Sequence, residues 1–309
     1  MAAFKGDRKK TGIGLWPPIP DPAYDFRQQD PHPRSPNPEV PTMYTRILVP
    51  VDGSTFSEQL IGPAAAVAKA TGAELALLRV VGNAEDYEAA RLYVERLAAG
   101  AGAKALCTSA SAGVAAAIRE EAQQVPATLL AICTHARGGA MQAILGSVAL
   151  EVLRGLGGPL VVFRPDPTSP AALSKIGRVV LPLDGSDASE AIVPQAAALA
   201  KWLGARVIVV SAIEPSMQQD PIVLSGDVQE SGYVNERARD IAERYGVEVG
   251  WEVLHGDPKK VIPHFVRGLG DAMLAMTTHG RTGFQRVVTG SVTAQCLRDA
   301  GVPVFTRLP

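Results

Sequence analysis

The chain is poor in most of what marks an exported, membrane or redox-active protein. Its 309 residues hold three cysteines, Cys107, Cys133 and Cys296, widely spaced and odd in number. Such a set builds no disulfide framework and suits a reducing compartment. Aromatic residues make up 5% of the chain, and no apolar run reaches the roughly 18 residues a membrane span needs. The opening stretch, MAAFKGDRKKTGIGLWPPIP, lacks the apolar core of about 7–15 residues found in a secretory signal, so a cytoplasmic protein is expected. Net charge is −1, which provides no broad attraction for nucleic acid or an anionic membrane. Neither is expected as a partner.

Familiar site motifs are missing too. No Gly-x-x-x-x-Gly-Lys occurs, which excludes a P-loop. TGIGLW has no third glycine and no strand before it, so it fails as a dinucleotide fingerprint. His255 and His264 lie nine apart without a third ligand, and no metal site is expected. What is present is an apolar content of 47% and a charged content of 20%, in a length that suits two globular domains.

Residues 1–43 stand apart. Nine prolines fall between Pro17 and Pro41, spaced by Asp, Gln, Ser and Asn. The segment reads as an extended or disordered tail. Trp16, Tyr24 and Phe26 are its exceptions, able to anchor it on a partner or on the protein's own surface.

From Tyr44 the sequence repeats itself. TRILVPVDGSTFSEQL matches GRVVLPLDGSDASEAI, and Asp52 and Asp184 stand 132 positions apart. Pro50/Pro182, Gly53/Gly185, Ser54/Ser186, Glu58/Glu190 and Gly72/Gly204 keep that offset. Further on the offset is 144, for His135/His279, Gly139/Gly283, Gly146/Gly290, Ser147/Ser291 and Pro159/Pro303. A net insertion of twelve residues in the second copy accounts for the change, and EPSMQQDPIVLSGDVQES, Glu214 to Ser231, is its expected place. Duplication follows, with repeat one at 44–165, a proline-marked linker at 166–175 and repeat two at 176–309.

Each copy alternates strands and helices. RILVPV and RVVLPL are short apolar runs, hence buried strands, and each turns at Asp-Gly-Ser. Capping boxes, Thr55 with Glu58 and Asp187 with Glu190, predict a first helix ending near Gly72 or Gly204. Pro63 and Pro194 fall inside those helices and conflict with them. The whole predicts two tandem doubly wound α/β domains, each a five-stranded, mostly parallel sheet with helices on both faces.

In such a sheet ligands bind beyond the C-terminal strand ends, where the strand order reverses. The Asp52 or Asp184 turn and the glycine-rich loop after strand four should meet there. In MTTHGRTGFQRVVTGSV, Gly280 and Gly283 permit close backbone approach, and exposed amides can hold anionic oxygens. Ser291 is positioned to cap the next helix, whose first N–H groups favour a phosphate. Arg281 and Arg286 add positive charge. His135 and His279 have no paired acid or nucleophile and read as loop-shaping. Cys133 reads as a small buried residue.

Together, the strand–Pro-x-Asp-Gly-Ser and strand–Thr-His-Gly-Arg-x-Gly elements, nine residues, Gly-Ser-Val and Pro-Val resemble the universal stress protein domain, twice over, across about 44–308. The ATP-binding branch of that family carries Gly-x-x-Gly, nine residues, then Gly-Ser or Gly-Thr. The resemblance implies ATP, or ADP or AMP, with Mg accompanying the phosphates. Pro182, Leu183, Asp184 and Ala212 would surround the adenine. Thr277, Thr278, His279, Gly280, Arg281, Gly283, Gly290, Ser291, Val292 and Thr293 would line the ribose and phosphates. The first glycine of the pattern is replaced by Thr277, which requires an ordinary backbone conformation there. A weaker site in repeat one would use Val51, Asp52, Val80, Gly146, Ser147 and Val148, with Cys133 and Ala136 in both early glycine positions.

The resemblance also implies an internal pseudo-dimer through the fifth strands, PLVVFR and PVFTR. The tail is a candidate for further homodimerisation, and an unidentified protein partner is implied. A regulatory protein that binds nucleotide without turnover is the expected function. The alternative is a nucleotide-free interaction module acting through dimerisation and partner binding. An enzyme of the adenine-nucleotide α-hydrolase type would carry His-x-Gly-His and Ser-Gly-Gly-x-Asp, both absent.

Overall fold

Buried apolar runs and amphipathic stretches alternate along the chain as the repeat predicts. The computed structural model describes residues 43–82, 87–134, 146–165, 175–214, 222–278 and 290–308. In the first half, β1 (Arg46–Val51), α1 (Thr55–Glu58), α2 (Ile61–Thr71), β2 (Glu74–Val81) and α3 (Tyr87–Ala101) come first. They are followed by β3 (Lys104–Ser109), α4 (Val114–Gln124), β4 (Thr128–Cys133), α5 (Ser147–Leu156) and β5 (Leu160–Phe163). The second half runs β6 (Arg178–Pro182), α6 (Asp187–Glu190), α7 (Val193–Leu203), β7 (Arg206–Ile213) and α8 (Ile222–Tyr245). It closes with β8 (Val249–His255), α9 (Pro258–Leu269), β9 (Ala272–Thr277), α10 (Ser291–Asp299) and β10 (Val304–Arg307).

All the strands belong to one ten-stranded sheet in the order β3-β2-β1-β4-β5-β10-β9-β6-β7-β8. Every neighbouring pair is parallel except β5 with β10, where Phe305 stands opposite Val161 in antiparallel register. Helices cover both faces. One core cluster gathers Val49, Leu77, Val94, Val179, Leu199 and Ile241 under α2, α3, α7 and α8. The other gathers Leu48, Ile118, Leu153, Leu274, Val266 and Leu297 under α4, α5, α9 and α10. Each cluster runs through both halves, so apolar burial couples them. Tyr44 of the first half meets Trp202 of the second edge to face, with ring centroids 5.3 Å apart.

Two expectations need correction. The single first helix is two: α1 stops at Glu58 and α2 starts at Ile61, while α6 stops at Glu190 and α7 starts at Val193. The break moves Pro63 and Pro194 into the opening turn of α2 and α7, where an N–H has no helical acceptor to lose. The conflict with proline therefore disappears. The caps also sit one residue earlier than the boxes proposed: Ser54 and Ser186 accept from the N–H of Ser57 and Ser189. The insertion falls where the change of offset places it: α8 has 24 residues against 15 in α3, both ending before a positive-φ glycine, so much of the insertion prolongs a helix. The predicted C-terminal glycines hold, with Gly72 and Gly204 left-handed at φ 74° and 62°. The tail and linker readings fall on 1–42 and 166–174, outside the described residues.

Candidate functional site

The strand order fixes where a ligand can bind. From β1 the chain runs outward to β2 and β3, then returns to β4 on the other side. The crossover lies between β1 and β4, and between β6 and β9 in the second half, at their C-terminal ends. The Asp-Gly-Ser turns leave from β1 and β6, and the glycine loops leave from β4 and β9.

The aspartates are built into their turns. Asp184 Oδ1 accepts from Ser186 N at 3.1 Å and Ser186 Oγ at 2.6 Å. Asp52 Oδ1 accepts from Ser54 N at 2.9 Å, Ser54 Oγ at 2.6 Å and Ser57 Oγ at 2.7 Å. These are turns in which a carboxylate satisfies the next amides. Ser57 and Ser189 escaped the sequence reading. They share the 132 offset, and that was the signal that could have found them.

A side-chain bond ties each turn to the strand across the crossover. Thr277 Oγ1 donates to Ala188 O at 2.8 Å, and Cys133 Sγ to Phe56 O at 3.2 Å. Ala188 and Phe56 occupy matching positions, so both repeats use one tie with different donors. Thr277 lies in β9 in register with Arg307, in ordinary strand conformation, as the β-branched side chain requires. Burial, and then the Asp52 charge, push the Cys133 thiol up to about 12. It is therefore a protonated donor and a poor nucleophile.

Thr278 and Thr293 close the base of the second loop. Thr278 donates its N–H to Arg307 O at 3.0 Å and accepts at its carbonyl from Gly290 N. Thr293 Oγ1 donates to Thr277 O at 2.9 Å and is buried. Its hydroxyl thus supports the strand end. Gly290, at φ −53°, is the N-cap of α10, so Ser291 is the first helical residue and not the cap expected of it. Gly146 caps α5 at φ 76°. Neither helix has a side-chain cap, and Ser291 and Ser147 are exposed in the first turn beside half-buried Val292 and Val148.

The residues expected on the adenine side lie at the ends of β6 and β7. Leu183 is buried and donates its N–H to Val210 O at 2.9 Å, with Pro182 half-buried beside it. Ala212 is half-buried near the end of β7, while Val51 and Val80 are buried in repeat one. His279, Gly280, Arg281 and Gly283, with His135, Ala136 and Gly139, lie outside the described residues. Among the described residues no group of three His, Cys, Asp or Glu side chains could hold a metal ion. No helix among them is long and apolar enough to cross a membrane.

Comparison with known proteins agrees with this architecture. The model of the universal stress protein family matches residues 43–95, 83–164 and 175–306. A universal stress protein, MJ0531, of Methanocaldococcus jannaschii is 28% identical over 135 residues, covering 41% of this chain and 79% of that one. The crystal structure of a universal stress protein from Archaeoglobus fulgidus shares the fold at a TM-score of 0.56 and 20% identity, over 86% of this chain and 98% of the other. One described as a putative universal stress protein from Pseudomonas aeruginosa does so at 0.58 and 19%, over 86% and 94%. With its matches falling in both halves, this chain belongs to the universal stress protein family and carries the family's domain in tandem.

Proposed function

We propose that the protein is a stress-response regulator that binds ATP, or a related adenine nucleotide, mainly in repeat two and without efficient turnover. The observation that carries this is the Thr277–Ala188 bond, which joins the Asp184 turn to the root of the glycine loop at the strand crossover. The fit to a nucleotide is supported by an uncapped helix start at Gly290 and Ser291, whose amides favour phosphate oxygens. Asp184, Leu183 and Ala212 would take the adenine side, and Ser291 and Val292 the phosphates, with Mg accompanying them. His279, Gly280, Arg281 and Gly283 would complete the cradle. Absence of turnover is supported by Asp184, whose Oδ1 is engaged by its own turn and so is poorly placed to activate water. Nucleotide would act by ordering the loop or altering an interface with a protein partner.

Repeat one favours the nucleotide-free reading. Cys133 stands in an early glycine position, and its thiol is given to the Phe56 carbonyl. We further propose that the repeats act as an internal pseudo-dimer, a reading supported by the antiparallel β5–β10 pair, which also covers two strand edges. Calorimetric titration of ATP into the full chain tests the assignment. One binding event that survives Asp52→Asn and weakens in Asp184→Asn is expected. Equal sensitivity to both substitutions would remove the preference for repeat two.

A further inference from the structure

At the opposite end of the sheet from the crossover, repeat one has an open cleft of about 430 Å³. Ala65, Ala68 and Lys69 of α2, Ala101 and Gly102 at the end of α3, and Lys104 of β3 line it. Glu74, at the start of β2, is on its rim. The second repeat has the same small residues, Ala197, Ala200, Gly204 and Gly246, at the matching positions. The aromatic change is at Ala101, where repeat two has Tyr245, half-buried and packed against the core, while Glu74 gives way to Arg206. The surroundings changed with it. A Cβ added to Gly102 would meet nothing within 4 Å, whereas one on Gly246 would meet Lys201 Nζ at 3.6 Å. Lys104 is likewise replaced by Glu248, which pairs with Arg206 at 3.8 Å. Repeat one therefore has a space of aromatic size where repeat two has its own ring.

We infer that the occupant is this chain's own segment Trp16–Phe26, WPPIPDPAYDF, seated with one aromatic ring where Tyr245 stands in repeat two. The chain enters the fold beside the cleft: Thr45 O accepts from Glu74 N at 2.8 Å, and Glu74 is on the rim. The seventeen residues from Phe26 to Met43 span up to about 60 Å when extended, while β1 and β2 lie only about 4.8 Å apart. Reach is not limiting, and tethering raises the local concentration to about the millimolar range. Charge agrees as well, since the segment carries Asp21 and Asp25, while Lys69 and Lys104 of the cleft are exposed. Aromatic residues add large apolar area with few rotatable bonds, which suits a small-residue cleft.

Photo-crosslinking on the full chain tests this. The photo-reactive residue p-benzoylphenylalanine replaces Trp16, Tyr24 or Phe26 in turn. A mixture of isotopically light and heavy chains distinguishes bonds within a chain from bonds between chains. The expected products join the tail to peptides holding Ala65–Leu75 or Ala101–Lys104 of the same chain. Ala101→Tyr, which installs the ring of repeat two, should cut their yield about tenfold, the order of effect of one buried aromatic side chain. Lys104→Glu should lower it independently, without added bulk. Products elsewhere on the surface, products mainly between chains, or yields untouched by both substitutions in folded protein would overturn the inference.

Discussion

Thr277 gives its hydroxyl proton to the carbonyl of Ala188 at 2.8 Å, 89 residues away in the chain. This bond holds the short helix after the Asp184 turn against the end of β9, and so sets the width of the crossover. Thr277→Val keeps the shape and removes the donor, leaving a carbonyl short of a partner. It should cost about 1–2 kcal/mol in stability and weaken ATP binding several-fold. Denaturant unfolding and calorimetry on the same protein check both effects. Lost stability without lost affinity would separate the tie from the site.

Asp184→Asn asks what the carboxylate does. Asparagine still offers Oδ1 to Ser186 N and Oγ, so stability should change by under about 1 kcal/mol. Affinity for adenine nucleotide should fall about tenfold if the charge contacts the base or the donors that orient it. Asp184→Ala should add a stability loss of about 1–2 kcal/mol from the broken turn.

The two helix-capping glycines should differ. Gly146 sits at φ 76°, ψ 156°, a region that side chains avoid, whereas Gly290 sits at φ −53°, ψ 145°. Gly146→Ala should cost about 1–3 kcal/mol, and Gly290→Ala much less. Thermal unfolding of the pair checks this, and equal losses would contradict the assigned conformations.

Thr306 Oγ1 is fully buried on β10, beside the antiparallel seam, and meets no hydrogen-bond partner among the described residues. Thr306→Val removes an unpaired hydroxyl without changing volume. It should raise stability by about 1 kcal/mol, or about 2 °C in Tm. A loss would mean that the hydroxyl has a partner.

Burial raises Cys133 and Cys296 from an ordinary thiol value of 9.0 to about 12. A group whose folded value is raised stabilises the fold while protonated in both states. That contribution is present below pH 9 and is lost as pH climbs towards 12, because only the unfolded chain ionises readily. Stability should therefore fall above pH 9, and Cys133→Ala should flatten that fall. In the native state at pH 8, iodoacetamide should modify both thiols far more slowly than in the unfolded chain.

Much of this was legible in the sequence because duplication states it twice. The 132 and 144 offsets mark the crossover residues, the terminal glycines and the insertion. Local chemistry beyond that was less legible. The capping box and terminal glycine join Thr55 to Thr71 into one helix; the conflict with Pro63 signals the trouble, but nothing local places the break between Glu58 and Ile61 that relieves it. The stretch from Glu214 to Ser231 contains Gly226, a poor helix former, yet α8 begins within it at Ile222. The Thr277–Ala188 bond was invisible because its acceptor is a main-chain carbonyl, which any residue supplies.

The central claim is occupancy of repeat two by adenine nucleotide. Freshly purified full-length protein is denatured, and the supernatant is chromatographed and quantified per chain. The account predicts an adenine nucleotide released at up to about one per chain and lost in Asp184→Asn but kept in Asp52→Asn. No released nucleotide, together with no calorimetric binding of ATP up to about millimolar concentrations, would contradict it.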